Sequence, residues 1–115
     1  MNLTRKEVNG VLVLRLEDER LDTAVTADLK AEFLIAFGEN HHRILVNLEN
    51  VKYADSSGLG ALLLGIRQAR ELSGDFKICC ANPRILNLIR IARLEDHIKN
   101  YSTESKALQS FTITE

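Results

Sequence analysis

The chain has 115 residues, 45% hydrophobic and 27% charged, the balance of a globular protein with enough apolar material for one buried core. A formal net charge of −1 is no basis for the concentrated basic surface that nonspecific nucleic-acid binding requires, so no direct nucleic-acid partner is expected. No stretch approaches the roughly 18–20 apolar residues of a spanning helix, and Met1-Asn2-Leu3-Thr4-Arg5-Lys6-Glu7 lacks the apolar centre of a signal peptide. The expectation is one domain over residues 1–115, cytoplasmic and without membrane insertion.

Residues 3–16 read as a hairpin. A weak strand over residues 3–8 and a strong one over Val11-Leu12-Val13-Leu14-Arg15-Leu16 flank Asn9-Gly10, the strongest short turn signal. An acidic loop, Glu17-Asp18-Glu19-Arg20-Leu21-Asp22, leads to a helix capped by Asp22 or Thr23, with apolar positions Val25, Leu29, Phe33, Ala36 and Phe37. Gly38-Glu39-Asn40 ends it, and His41-His42-Arg43 leads into the buried strand Ile44-Leu45-Val46.

Next comes Asn47-Leu48-Glu49-Asn50-Val51-Lys52-Tyr53-Ala54-Asp55-Ser56-Ser57-Gly58-Leu59-Gly60, followed by apolar residues at 59, 62, 63, 66, 69 and 72 in helical spacing. Asp55, Ser56 and Ser57 thus stand where a loop becomes a helix, and all three are N-cap types. A helix start leaves N–H groups unpaired and carries partial positive charge, which suits an oxyanion or phosphate. The hydroxyls either cap the helix or receive a phosphoryl group. Leu59, Leu63 and Leu64 cannot all turn inward on a helix that also buries Leu62 and Ile66.

Ser73-Gly74 stops that helix, and Phe76-Lys77-Ile78-Cys79-Cys80 is a fourth strand. Its two adjacent cysteines read as small strand hydrophobes: neighbours in a strand point to opposite faces, so a bridge between them needs a strained backbone. Asn82-Pro83 starts a third helix, with apolar residues at 85, 86, 88, 89, 91 and 92 and a polar face of Arg84, Asn87, Arg90 and Arg93. Residues 98–101 read as a short edge strand and 102–111 as a last helix with Ala107, Leu108 and Phe111 inward. The order ββαβαβαβα predicts an α/β fold, one sheet of mixed direction with helices packed mainly on one face.

Asp55-Ser56-Ser57-Gly58-Leu59-Gly60, behind its strand and loop, resembles the signature of bacterial anti-sigma factor antagonists, the small STAS-domain proteins. The resemblance covers nearly the whole chain, and the order of elements agrees with the STAS fold. It implies a noncatalytic regulatory protein that, unphosphorylated, binds an anti-sigma factor with serine kinase activity and frees a sigma factor. It further implies that the serine after the aspartate, Ser56, is the phosphoacceptor, that phosphorylation switches binding off, and that a serine phosphatase restores it. Ser57 is expected as the helix cap or as a secondary acceptor. Asp55, Ser56, Ser57, Gly58, Leu59 and Gly60 are the expected partner surface, with Asp22 a weaker member. Gly58 and Gly60 either admit the partner's backbone close to the serine or relieve crowding beneath the helix.

Two places depart from the family pattern. Asp18-Glu19-Arg20 supplies no glycine before Leu21-Asp22 and is one residue longer, and Arg93 stands where a glycine usually ends the third helix, which is expected to lengthen it. The alternative function is that of other STAS domains, a cytoplasmic assembly subunit of a lipid- or anion-transport complex. A catalytic serine is not expected, because neither Ser56 nor Ser57 sits in Gly-x-Ser-x-Gly and no histidine is placed beside them. His41-His42 lacks the spacing of helical metal ligands, and no Gly-x-x-x-x-Gly-Lys loop is present, so no metal or cofactor is expected.

Overall fold

The computed structural model describes residues 1–111. Its elements are β1 (Leu3–Val8), β2 (Val11–Leu16), β3 (Arg20–Leu21), α1 (Thr23–Gly38), β4 (Arg43–Asn47), β5 (Tyr53–Ala54), α2 (Ser56–Glu71), β6 (Asp75–Cys79), α3 (Pro83–Ile91), β7 (Asn100–Tyr101) and α4 (Glu104–Ser110). Five strands form one mixed sheet in the order β1-β2-β4-β6-β7. Only β1 runs antiparallel to its neighbour. Asn9 and Gly10 both take positive φ, 52° and 81°, which is the mirror-image turn a two-residue hairpin needs.

Alternation along the strands divides the core in two. Leu12, Leu14, Leu16, Ile44, Val46, Phe76 and Ile78 face α1, α2 and α3, where Leu29, Phe33, Leu62, Ile66, Ile85 and Ile89 close over them. Phe33 and Phe76 meet edge to face at 5.0 Å. On the opposite face Val11, Val13, Leu45 and Cys79 pack against Ala107 of α4 and Phe111 just after it. Three helices therefore cover one face and one short helix the other, as the element order predicts.

Strands β3 and β5 have no counterpart among the elements expected from the sequence. They pair with each other, in parallel, as a separate two-stranded sheet. The acidic stretch read as loop therefore contains a strand, Arg20–Leu21. Two residues are too few to show a period of two, and the partner strand is 33 residues away.

Arg93 does not lengthen α3. The helix ends at Ile91, Ala92 is its C-cap, and Arg93 adopts the left-handed conformation at φ 60°. Leu94 N–H then bonds the Ile89 carbonyl and Arg93 N–H bonds that of Arg90, both at 3.0 Å. This is the paired C-terminal motif that glycine usually supplies. Asn40 and Ser73 occupy the same place after α1 and α2. Gly74 serves a different purpose, because a Cβ there would lie 2.0 Å from the His42 carbonyl oxygen.

Candidate functional site

Strands β3 and β5 set two helix starts side by side. Leu21 pairs with Ala54, so the next residues, Asp22 and Asp55, leave the small sheet together and become the N-caps of α1 and α2. Asp55 N–H reaches back to the Leu21 carbonyl at 3.2 Å. Sequence alone left Asp22 or Thr23 as the cap. It is Asp22, whose Oδ1 accepts from Ala24 N–H at 3.0 Å while its Oδ2 accepts from Arg20 Nε at 3.1 Å.

At the second start the cap is Asp55, not Ser57. Asp55 Oδ1 accepts from Gly58 N–H at 3.1 Å and from Ser57 Oγ at 2.6 Å. The carboxylate outcompetes the hydroxyl as acceptor because it carries charge at the positive end of the helix. Ser57's hydroxyl is then engaged as a donor. These two bonds, Ser57's first and Gly58's second, hold the Asp55 carboxyl below its ordinary pKa of 3.8.

Ser56 is the first residue of α2 and is exposed. Its hydroxyl has no hydrogen-bond partner among the described residues. The two adjacent serines thus differ in chemistry: one is bound to the cap, the other is free at the surface.

Beneath them the motif is packed. Gly58 is buried, and a Cβ on it would lie 2.4 Å from the Leu21 carbonyl oxygen and 2.8 Å from Leu21 Cγ. Leu59 is 3% exposed and belongs to the core. Gly60 is exposed, with no atom within 4 Å of the place its Cβ would take. Leu63 and Leu64 are half-buried. Of the six motif residues, Ser56 and Gly60 lie on the surface, Asp55 and Ser57 at its rim, and Gly58 and Leu59 below it.

Three residues the motif reading passed over complete the site. Arg20 stacks over the Tyr53 ring at 4.5 Å and also holds Asp22. Asn82 caps α3 through Oδ1, which accepts from Ile85 N–H at 2.9 Å. Its Nδ2 donates to the carbonyls of Val51 and Lys52 at 3.3 and 3.1 Å, tying α3 to the loop that delivers β5. Its place before Pro83 identified the cap; the loop contact spans about thirty residues of sequence and left no local sign. Among the described residues no group of three or more histidine, cysteine, aspartate or glutamate side chains is placed to hold a metal ion. No described helix is long and apolar enough to cross a membrane.

The family model for the STAS domain matches residues 2–107. The chain belongs to the STAS domain family. An anti-sigma F factor antagonist of Paenibacillus polymyxa is 29% identical over 106 residues, covering 90% of this chain and 89% of the relative. BtrV of Bordetella bronchiseptica, assigned as an anti-sigma factor antagonist, is 26% identical over 92 residues, 80% of this chain and 78% of the relative. Among solved structures, the STAS fold seen here superposes on Thermotoga maritima tm1081, also assigned to that class, at TM-score 0.86. Identity there is 20%, with 95% of this chain and 93% of the other covered. The Bacillus cell fate determinant SpoIIAA in its phosphorylated form superposes at TM-score 0.72 with 22% identity, over 94% and 97% of the two chains. The fold also occurs inside larger proteins. The murine anion transporter Slc26a9 matches at TM-score 0.75 and 13% identity over 90% of this chain but 18% of the transporter.

Proposed function

We propose that this STAS domain is an anti-sigma factor antagonist that works by binding and not by catalysis. Unphosphorylated, it captures an anti-sigma factor with serine kinase activity in the cytoplasm and frees a sigma factor for transcription. Phosphorylation of Ser56 releases the partner, and a serine phosphatase resets the switch. The observation that carries this reading is the contrast between the two serines: Ser56 is exposed and unengaged at the helix start, whereas Ser57 is bound to the Asp55 cap. The phosphorylated relative with the same fold supports a phosphate that acts without refolding.

The physical logic is local. A phosphate adds a charge of about −1.5 to −2 and three acceptor oxygens. The α2 N-terminus tolerates it in the free protein, but a partner closing over Ser56 must desolvate it beside the Asp55 carboxylate. A buried unpaired charge costs several kcal/mol, and about 1.4 kcal/mol is tenfold in affinity. The partner surface is Ser56 and Gly60, rimmed by Asp55, Ser57 and Asp22. Gly58 and Leu59 support it from below.

The transport-assembly reading has less behind it. The likeness to the anion transporter concerns the fold, whereas the two curated relatives match over most of both chains and are named for the antagonist role. Calorimetric titration of the anti-sigma factor from the same genome into wild type and Ser56→Glu tests the proposal. Affinity is expected to fall at least about tenfold in the variant, with circular dichroism unchanged. Equal affinity for both proteins refutes the switch, and absence of binding to wild type refutes the antagonist role.

A further inference from the structure

The cysteine pair does not behave as two alternating strand residues. Cys79 is the last residue of β6 and fully buried. Cys80 leaves the strand with φ 69°, a left-handed conformation uncommon for a residue with a Cβ. That turn undoes the alternation, and the two sulfurs lie 3.0 Å apart, both as free thiols. Cys80 is half-buried and lines an open cleft of about 520 Å³, together with Arg15, Asn47, Asn100 and Glu104. One sulfur is thus reachable by a small molecule, and the other is held behind it.

From this geometry we propose that Cys79–Cys80 is a redox-closable dithiol that reacts with low-molecular-weight disulfides, and that its closure loosens the loop ahead of the Ser56 site. The chemistry takes two exchanges. Cys80 Sγ attacks a disulfide RSSR, forming Cys80–S–S–R and releasing one thiol. Cys79 Sγ then attacks the Cys80 sulfur, forming the intramolecular bond and expelling the second thiol. The two electrons and two protons of the cysteine thiols end on two RSH. Cys80 attacks first because it lines the cleft while Cys79 lies buried behind it; burial, and next the hydrogen bond shared with Cys80, also push the Cys79 thiol up from its ordinary pKa.

A bridge between adjacent residues is strained, and strained disulfides are the readily reduced, reversible kind. The strain has a route to the functional site. Cys79 C=O accepts from Leu48 N–H at 3.0 Å and Cys80 N–H donates to Tyr101 C=O at 2.8 Å. Two residues later, Asn82 grips the Val51 and Lys52 carbonyls. Turning the Cys79–Cys80 peptide to close the ring pulls Asn82 from that grip. The following strand, β5, is what places Asp55. This link rests on the fold and not on the phosphorylation reading.

The test treats the purified chain with oxidised glutathione, then records intact mass, the count of alkylatable thiols after denaturation, and amide exchange by peptide. Wild type is expected to lose two hydrogens and both alkylatable thiols, retain no glutathione, and return to the dithiol with dithiothreitol. Cys79→Ser is expected to keep one glutathione, and Cys80→Ser to stay unmodified. Exchange over residues 51–53 is expected to quicken by roughly threefold to tenfold in the closed form, the worth of one lost hydrogen-bonded tie. A stable glutathione adduct on wild type, an unreacted dithiol or a bridge between two copies overturns the proposal. Closure with unchanged exchange at residues 51–53 overturns the link to the loop.

Discussion

Replacing Gly58 by alanine presses one carbon into the contact between α2 and β3. The added Cβ meets the Leu21 carbonyl oxygen at 2.4 Å and Leu21 Cγ at 2.8 Å. Carbon and oxygen rest at about 3.3–3.6 Å, so one element must retreat by about 1 Å. The carbonyl cannot yield freely, because it accepts the Asp55 N–H. Overpacking of this kind costs about 1–3 kcal/mol, and alanine's better helix propensity returns about 0.8–1 kcal/mol. The expected net effect is a loss of up to about 2 kcal/mol in urea unfolding. Gly60→Ala is the control: it sits in the same helix with open space around the added carbon and should gain about 0.5–1 kcal/mol. Two glycines two residues apart should therefore respond with opposite signs. If Gly58→Ala unfolds at the same urea concentration as Gly60→Ala, β3 is not packed against the start of α2, and the motif's first glycine is not a packing residue.

Asn82→Ala removes the α3 cap, at about 1 kcal/mol, and frees the Val51 and Lys52 carbonyls. Chemical unfolding should show the loss, and amide exchange at residues 51–53 should rise; unchanged exchange there contradicts the tie. Arg93→Gly relieves a left-handed residue and should stabilise the domain by about 1 kcal/mol in thermal or urea unfolding. Destabilisation would mean that the arginine side chain contributes more than its backbone costs. Asp55→Asn tests the cap by pH. The folded-state pKa of Asp55 lies below its ordinary 3.8, so its contribution is complete above that value and is lost as pH falls through the lower folded one. Wild type should exceed the variant in stability near neutrality, with the gap closing below pH 3.8; a gap that widens on acidification contradicts the assignment.

Local chemistry was legible in the sequence wherever one or two neighbouring residues decide the geometry. Asn9-Gly10 set the hairpin turn, Asn82-Pro83 the start of α3, and the spacing after Ser57 most of the buried face of α2, Leu59, Leu62, Ile66 and Ala69, while Leu63 is half-buried and Leu72 is exposed. What escaped depends on partners far along the chain or on competition between equals. Arg20–Leu21 becomes a strand because Tyr53–Ala54 offers it an edge. Asp55 and Ser57 are both capping types, and the charge of the carboxylate decides between them in favour of Asp55. Arg93 and Cys80 take positive φ where residue type predicts otherwise. At Arg93 the surrounding helix-end hydrogen bonds outweigh the local penalty. Within the site, the difference between the serines could not be read from spacing, because it rests on one hydrogen bond from Ser57 to Asp55.

That difference is also the most direct point of test. The measurement is intact-protein mass after incubation with ATP and the serine-kinase anti-sigma factor from the same genome, made on wild type, Ser56→Ala and Ser57→Ala. One phosphate on wild type and on Ser57→Ala, with none on Ser56→Ala, is the predicted result. A phosphate retained by Ser56→Ala, or none on wild type, contradicts Ser56 as the switch.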